Sequence, residues 1–211
     1  MSEGISALIL AAGESRRMGQ PKQLLPWGET TVLGQVVAMF SAGLSMYSET
    51  DKRTKTDFEI LIVTGGAREL VEAEVARLAK QYPVRAVFNP KYAQGGMLSS
   101  IQAGLAALGA GQRAALIGLG DQPQVRKETV RHICAAFIQT ESALVIPSYR
   151  DRRGHPWLVA RPLWPEVLGL PTSTTPRHFL NSHTGQVKYV PAGESILLDL
   201  DTPEDYNRQH P

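Results

Sequence analysis

Short apolar runs alternate along the chain with longer segments in which apolar residues recur at helical spacing. An uninterrupted apolar run is typical of a strand covered on both faces, and a helical repeat is typical of a helix with one buried face. The runs predict strands at residues 7–11, 59–64, 84–88, 114–119 and 143–146. The repeats predict helices at residues 31–44, 67–80 and 97–108, and another through Val130, Ile133 and Phe137. This alternation predicts an α/β fold with a mostly parallel sheet, helices on both sides and right-handed crossovers.

The pattern changes after Pro147. Two short segments around 154–156 predict a hairpin or a strand that crosses the sheet. Beyond them the sequence predicts short helices near 162–168 and 176–181, strands near 186–190 and 196–200, and a last helix from Pro203 with Thr202 as its N-cap. The segment 47–57 has almost no apolar residue and a mixed charge run, which predicts a solvated surface insertion.

Composition describes one ordinary globular domain. The 211 residues are 43% hydrophobic and 20% charged, and the net charge of +2 gives little support to nucleic-acid binding. The lone Cys134 has no partner for a disulfide, and no run reaches the roughly 18–20 apolar residues of a membrane span. The amino terminus has no basic segment before its apolar run, so it is not typical of a signal peptide. We expect a cytoplasmic protein with neither nucleic acid nor a membrane as a partner.

The first predicted strand leads into a long connection at residues 12–30. Connections longer than about 12–15 residues are uncommon in compact domains unless they are functional or disordered. In α/β sheets ligands bind beyond the carboxyl ends of the strands, where this connection begins. Gly13 and Gly19 let backbone N–H groups converge on an anion, and Arg17 and Lys22 supply positive charge. The sequence therefore predicts a phosphate site here; the alternative is a surface loop with solvated basic residues.

The sequence lacks several known catalytic and phosphate-binding motifs, which excludes the kinds of site that depend on them. Met18 stands where a P-loop needs its second glycine, so the chain is not a Walker-type NTPase. The string GAGQRA at 109–114 matches G-x-G-x-x-A but precedes a strand and opens no helix. No G-x-S-x-G elbow is present, and His178 and His183 do not share a helical face as a zinc pair would.

Carboxylates follow two of the predicted strands. Asp121 comes directly after the strand at 114–119 and is a candidate metal ligand, because Mg²⁺ commonly takes one or two protein carboxylates and leaves its other positions to phosphates and water. Asp201 is the first choice for a second ligand and Asp199 the second, since residues two apart in an extended segment point the same way. The alternatives are that Asp121 is a turn residue and that the other two only precede a helix start, where negative charge is favourable.

Longer strings resemble a known family. The string LAAGESRRMGQPKQLLPWGETTVLGQ is similar to the L-A-A-G-x-S-x-R-M-G-x-P-K-x-L-L opening of the MobA-like nucleotidyltransferases, which include the molybdenum-cofactor nucleotidyltransferases. The similarity continues through NPKYAQGGMLSSIQAGL, GDQP, RRGHPWLV and DLDTPEDY. Within this family the chain looks most like the cytidylyltransferase branch.

The resemblance carries expectations for fold and activity. It implies one domain over residues 1–211, with a Rossmann-like three-layer α/β/α fold of the nucleotide-diphospho-sugar transferase type. It implies Mg²⁺ or Mn²⁺ and transfer of NMP from an NTP, here CTP, to the terminal phosphate of a molybdopterin, with loss of pyrophosphate. Transient contact with a molybdoenzyme or its insertion chaperone is also implied.

The resemblance also assigns roles to residues. It implies Lys22, Arg17 and Asp121 as catalytic residues, and Asp121 and Asp201 as metal ligands. Nucleotide-binding residues are implied at Leu10, Ala11, Ala12, Gly13, Ser15, Gly19, Thr64, Gly65, Asn89, Gly96, Ser99 and Ser100. Gly154, His155 and Pro156 are implied to face the acceptor. Trp157 stands where the family often has a smaller apolar residue. A larger side chain there changes the space that is left for the acceptor.

Two other functions remain open. An enzyme of the same fold could use GTP or another acceptor, such as a phospholactate, a sugar phosphate or a 3-deoxy-octulosonate-like acid. A non-catalytic pterin carrier or insertion chaperone belongs to a different class, although a pure binder has no evident need for a metal–triphosphate clamp. Release of pyrophosphate distinguishes an enzyme from a carrier.

Overall fold

The computed structural model of the protein describes residues 4–50 and 58–211, which form ten strands and seven α-helices. The strands are β1 (Gly4–Ala11), β2 (Pro26–Trp27), β3 (Thr30–Thr31), β4 (Ile60–Thr64), β5 (Val84–Phe88), β6 (Gln112–Leu119), β7 (Leu144–Tyr149), β8 (Arg152–Arg153), β9 (Trp157–Ala160) and β10 (Val187–Pro191). The helices are α1 (Val32–Thr50), α2 (Arg68–Leu78), α3 (Gly96–Ala107), α4 (Lys127–Thr140), α5 (Trp164–Gly169), α6 (Pro176–Ser182) and α7 (Pro203–Gln209). Short 3-10 helices occur at Arg16–Met18, Lys22–Leu24, Arg161–Leu163, Thr184–Gln186 and Glu194–Leu197.

Eight strands form one mixed sheet in the order β10-β7-β9-β6-β1-β4-β5, with β8 paired to β7. The neighbours β6, β1, β4 and β5 are parallel, and β10 is parallel to β7. Strand β9 runs antiparallel between β6 and β7, which confirms the crossing strand predicted after Pro147. The predicted mostly parallel sheet is confirmed.

Side chains of β1 alternate between two cores, as they must on a pleated strand. Ile5, Ala7 and Ile9 belong to the core covered by α1, α2 and α4. Leu8 belongs to the other core, which is covered by α3, α5 and α6. The sheet is therefore buried on both faces, and the predicted three-layer α/β/α arrangement is confirmed.

Two predicted segments differ from the structure. Helix α1 continues to Thr50, into the charged segment 47–57, whose residues 51–57 lie outside the described part of the chain. The strand predicted at 196–200 is wrong, because a 3-10 helix ends at Leu197 and no strand follows it before α7. The Ile196 carbonyl accepts from the His155 N–H at 3.2 Å, and the Leu200 N–H donates to the Asp121 carbonyl at 3.2 Å. These backbone groups bond to loops, so this segment joins no sheet.

Strand β1 lies where the order of the sheet reverses, between β4 on one side and β6 on the other. Ligands bind beyond the carboxyl ends of strands at such a switch point. The ends of β1, β4 and β6 lie at Ala11, Thr64 and Leu119, so the residues that follow them meet at one edge. No helix among the described residues is long and apolar enough to cross a membrane.

Candidate active site

The connection after β1 folds around Ser15. This residue has a left-handed backbone conformation with φ of 52°. Its hydroxyl accepts a hydrogen bond from the backbone N–H of Lys22 at 3.1 Å and donates one to Oε1 of the buried Gln23 at 3.4 Å. The connection therefore bends back on itself, and Ser15 holds the residues that begin the short helix Lys22–Leu24.

A small third core joins this connection to the end of the chain. Its buried members are Leu25, Trp27, Val32 and Leu200. Helix α7 follows with Thr202 as its N-cap, which confirms the predicted helix start. Because Leu200 is buried in this core, the adjacent Asp201 is held beside the connection that carries Lys22.

The side chain of Lys22 lies between two carboxylates that are distant in the sequence. Its Nζ is 3.1 Å from Oδ1 of Asp201 and pairs with Oδ2 of Asp121. The Lys22 and Asp121 side chains are only 13% and 16% exposed, so their attraction is screened less than that of a surface pair. Arg17 contacts Oδ2 of Asp201 at 3.1 Å. The structure thus brings together the residues for which a phosphate clamp and a metal site were predicted.

These contacts shift the ionisation of the cluster. Burial lowers the pKa of the Lys22 amine, but hydrogen bonds to Asp121 and Asp201 and their charges outweigh burial, so the pKa lies above its ordinary value. Burial raises the pKa of Asp201, but contacts with Lys22 and Arg17 outweigh it, so this pKa lies below its ordinary value. Lys22 is therefore a cation and Asp201 an anion at neutral pH.

Asp199 lies next to the same cluster. Nε2 of the buried Gln122 donates to Oδ1 of Asp199 at 2.6 Å. Burial raises the pKa of Asp199, and the negative charges of Asp121 and Asp201 raise it further. A cation between these carboxylates would relieve their repulsion.

The donor set of the cluster fits a hard divalent cation. Oxygen atoms of Asp121 and Asp201 already surround one cation, the Lys22 ammonium group, and Mg²⁺ and Mn²⁺ prefer such oxygen ligands. Residues 4–50 and 58–211 contain no group of three or more His, Cys, Asp or Glu side chains arranged to hold a metal. A metal held here would therefore take further ligands from substrate oxygens and water.

A cavity of about 300 Å³ opens beside this cluster. Lys22 and Asp121 line it, together with five of the predicted nucleotide-binding residues: Leu10, Ala12, Gly13, Gly96 and Ser100. Its volume lies at the lower end of the roughly 300–1,000 Å³ range of small-molecule sites. We call it the nucleotide cavity.

Three predicted residues build the wall behind this cavity. The Asn89 amide nitrogen donates to the hydroxyls of Ser99 and Ser100 at 2.9 and 3.1 Å, and its oxygen accepts from the Lys91 N–H at 2.9 Å. These bonds tie the end of β5 to the first turn of α3, which carries Ser100. Direct contact of Asn89 and Ser99 with a nucleotide stays a prediction.

Four other predicted residues do not line the cavity. Ala11 is in a core, and Thr64 is buried with its hydroxyl 3.1 Å from Oε1 of Glu72. At Gly65 a Cβ atom would be 2.4 Å from the Ala12 carbonyl oxygen, so a larger residue would displace the loop after β1. Gly19 ends the 3-10 helix Arg16–Met18. Their contact with a nucleotide also stays a prediction.

Gln23 and Tyr92 line the nucleotide cavity, although no sequence pattern indicated them as site residues. Both lie inside strings that resemble the family, Gln23 directly after Lys22 and Tyr92 in NPKY. Their position in these strings was the available signal. The sequence does not predict that Gln23 and Tyr92 lie close together, because their proximity depends on how the connection after β1 packs against the connection after β5.

A second cavity of about 760 Å³ adjoins the first, and Met97 lines both. Gly154 and His155 line it, and the buried Trp157 forms part of its wall. Contact of Gly154 and His155 with an acceptor stays a prediction. Pro156 is not among its lining residues. We call it the acceptor cavity, after the role predicted for Gly154 and His155.

The loop that carries Gly154 and His155 packs tightly against Ile196. A Cβ atom at Gly154 would lie 2.3 Å from the Ile196 carbonyl oxygen, so only glycine fits without a shift. Burial lowers the pKa of the His155 ring to about 4. The imidazole is therefore neutral at physiological pH and offers one hydrogen-bond donor and one acceptor.

Comparison with known proteins identifies the family. The sequence pattern of the MobA-like NTP transferase domain matches residues 7–187. The chain belongs to the MobA-like NTP transferase family. It is 31% identical over 205 residues to the molybdenum cofactor cytidylyltransferase of Escherichia coli (strain K12), an alignment that covers 96% of this chain and 93% of that protein.

Solved structures agree with this MobA-like assignment. Rv0371c from Mycobacterium tuberculosis H37Rv has a TM-score of 0.74 and 27% identity, with 99% of this chain and 98% of that chain covered. Its complex with manganese has a TM-score of 0.71 and 26% identity, over 100% and 99% of the two chains. A nucleotidyl transferase from Methanothermobacter has a TM-score of 0.73 and 26% identity, over 98% and 96%. The MobA-like chain is thus a nucleotidyltransferase with the fold of the nucleotide-diphospho-sugar transferase type.

Proposed function

We propose that this protein transfers CMP from CTP to the terminal phosphate of a molybdopterin and releases pyrophosphate. The observation that carries the proposal is the Lys22 ammonium group between Asp121 and Asp201 at the wall of the nucleotide cavity. Such a cluster combines a cation for phosphate oxygens with two carboxylates for a divalent metal. The 31% identity to the Escherichia coli cytidylyltransferase supports the choice of substrates.

The proposed reaction needs no protein nucleophile. An oxygen of the acceptor phosphate bonds to the α-phosphorus of CTP, and the bond from that phosphorus to the pyrophosphate oxygen breaks. The acceptor phosphate is already an anion near neutral pH, so no general base is required. Catalysis then depends on alignment and on neutralising charge at the phosphate oxygens, for which Lys22 and Arg17 are suited.

Asp121 and Asp201 would hold Mg²⁺ or Mn²⁺, which supplies further positive charge to the phosphates when it is bound. The manganese complex of Rv0371c supports a divalent metal in this family. In the free protein the Lys22 amine balances the two carboxylates. When a nucleotide binds, we expect this amine to turn toward the phosphate oxygens, which its flexible stem allows.

Two adjoining cavities support a reaction between two substrates. We assign CTP to the nucleotide cavity, with its triphosphate at Lys22 and its base and ribose toward Gly96 and Ser100. We assign the molybdopterin to the acceptor cavity beside His155. Because Met97 lines both cavities, the two ligands would meet next to its side chain.

Alternatives within the same geometry concern the substrates. The GDQP and GHP strings and the Escherichia coli relative favour CTP over GTP. The paired cluster of Lys22, Asp121 and Asp201 argues against a non-catalytic pterin carrier. A cytoplasmic location and transient contact with a molybdoenzyme or its insertion chaperone belong to the same proposal, since such partners would receive the product.

A panel of nucleotides tests the proposal. Purified protein is mixed with Mg²⁺ or Mn²⁺, molybdopterin and each of CTP, GTP, ATP and UTP, and both pyrophosphate and the dinucleotide product are measured. We expect CTP to give the fastest release. A clear preference for GTP would make the cytidylyl assignment wrong, and binding of molybdopterin without pyrophosphate release from any nucleotide would indicate a carrier.

A further inference from the structure

The acceptor cavity carries a cationic rim. Arg152, Arg153 and Arg177 line it, and Asp151 is the one lining carboxylate among the described residues. Apolar side chains, Trp157 among them, also line it, beside the polar Thr175 and Asn181. A cavity that combines an apolar wall with several guanidinium groups suits a ligand with a flat apolar part and an anionic group.

Arg153 is held in place before any ligand arrives. Its guanidinium donates to Oδ1 of Asn181 at 2.9 Å, which joins β8 to α6. The same guanidinium lies 5.6 Å from the ring centroid of Tyr189 on β10. Because Asn181 occupies only part of the guanidinium, other N–H groups remain for an anion. A preorganised donor loses little freedom on binding.

A two-residue hairpin turn precedes β8. Arg150 and Asp151 have φ values of 48° and 62°, a left-handed conformation that residues with a side chain rarely adopt. This turn brings β8 back onto β7, where Arg153 pairs with Ser148. Positive φ at both central residues is typical of a two-residue hairpin turn, whose twist matches that of the strands it joins. The hairpin fixes the position of the two rim arginines on β8, Arg152 and Arg153.

The other titratable group facing this cavity is His155, which burial keeps neutral at physiological pH. The positive charge that an anion would meet in this cavity therefore comes from the arginines. Resting on the proposed function, we infer that Arg153 and Arg177 bind an oxyanion of the acceptor, and that Asn181 is the positioning residue that orients Arg153 for this contact.

Two parts of the acceptor could present this oxyanion. One is its terminal phosphate, which attacks CTP. The other is a metal–oxo unit at the dithiolene end of a molybdenum-loaded acceptor. A comparison of metal-free with molybdenum-loaded molybdopterin distinguishes the two sources. Both forms carry the terminal phosphate, but only the molybdenum-loaded form carries the metal–oxo unit.

The test measures molybdopterin binding by calorimetry without CTP, and steady-state KM and kcat with CTP. Arg153→Ala should weaken acceptor binding about 10-fold or more, because a charge-assisted hydrogen bond is lost. The KM for CTP should not change. Arg153→Lys should restore only part of the affinity, because lysine lacks the planar fork. Asn181→Ala should raise the acceptor KM with little change in kcat. Lys188→Ala, which removes an exposed cation on β10 that does not line the cavity, is the matched control.

The outcomes separate this inference from the proposed function. If Arg153→Ala binds both forms of molybdopterin as tightly as the parent, or if the parent binds neither form, the inference is wrong. If binding depends on Arg153 but no nucleotide releases pyrophosphate, the inference stands and the proposed function fails. If Arg153→Ala loses equal affinity for both forms, the oxyanion is the phosphate. If it loses affinity only for the molybdenum-loaded form, the oxyanion is the metal–oxo unit.

Discussion

The phenol of Tyr206 donates a hydrogen bond to the carbonyl oxygen of Pro26, with the two oxygen atoms 2.6 Å apart. The Tyr206 ring also packs edge-on against Trp27 at a centroid distance of 6.2 Å. These contacts fasten α7 to the connection after β1. Asp201 lies just before the N-cap of that helix, Thr202, and Lys22 lies in that connection, so the junction sets the spacing between the carboxylate and the amine.

Changes at Tyr206 test this junction. Tyr206→Phe keeps the ring and loses the hydrogen bond, so the free energy of unfolding should fall by about 1 kcal/mol. Tyr206→Ala loses both contacts and should also raise the KM for CTP, because Asp201 loses its support. Urea unfolding and steady-state kinetics measure these effects, with Tyr82→Phe as a control away from the junction. An unchanged KM for CTP in Tyr206→Ala would contradict the role of the junction.

Lys22→Met tests the central cation of the cluster. Methionine keeps much of the length of lysine and loses the charge, so pyrophosphate release should fall about 10²-fold or more. Without the amine, Asp121 and Asp201 repel each other, and we expect Mn²⁺ to raise the Tm of this variant more than that of the parent. Thermal unfolding with and without Mn²⁺ measures this, and Lys80→Met, at an exposed position in the turn after α2, is the control. Release at the parent rate would remove Lys22 from the mechanism.

The partly buried His155 makes stability sensitive to acid. Burial lowers its pKa to about 4 from the ordinary 6.5, so between these values the unfolded chain binds a proton that the folded protein does not. The stability from the neutral ring is complete above pH 6.5 and is lost as the pH falls toward 4. The loss is on the order of 3 kcal/mol. His155→Gln should flatten the pH dependence of the free energy of unfolding in urea over this range. The exposed His178→Gln is the control and should leave it unchanged. If the pH dependence is the same in the parent and in His155→Gln, it does not come from His155.

Gly154→Ala tests the close approach of the acceptor loop to Ile196. The new Cβ atom would lie 2.3 Å from the Ile196 carbonyl oxygen, so the loop must shift, at a cost of about 1–3 kcal/mol. Because Gly154 lines the acceptor cavity, the KM for molybdopterin should rise more than the KM for CTP. Gly185→Ala, where nothing lies within 4 Å of the new atom, is the control. Equal stability of the two variants would show that the loop accommodates the methyl group.

The sequence was most informative where a local pattern determines the structure. Asp121 follows an uninterrupted apolar run, which is typical of a covered parallel strand, so its position at the ligand edge was predictable. The contact of Lys22 with Asp201 spans 179 positions and depends on the burial of Leu200 in the third core, which no local pattern reveals. Motif resemblance indicated both residues without explaining why they meet.

The segment at 196–200 shows that a hydrophobic pattern can predict burial correctly and strand pairing wrongly. Its apolar residues predicted a strand, and Ile196 and Leu200 are indeed buried. Burial alone does not form a sheet, however, because a strand also needs a neighbour for its backbone groups. Here those groups bond to the Asp121 and His155 loops, and this contact brings Asp199 and Asp201 to the active site.

The choice between Asp201 and Asp199 as the second metal ligand can be tested directly. Contacts with Lys22 and Arg17 hold the pKa of Asp201 below its ordinary value despite burial, whereas burial and neighbouring carboxylates raise the pKa of Asp199. The more readily ionised carboxylate is the better ligand for a divalent cation. Asp201→Asn should therefore slow pyrophosphate release about 10²-fold and increase the Mg²⁺ concentration needed, whereas Asp199→Asn should cost less than about 10-fold. Rates across a Mg²⁺ titration measure both, with the exposed Glu204→Gln as control, and a larger loss in Asp199→Asn would reverse the assignment.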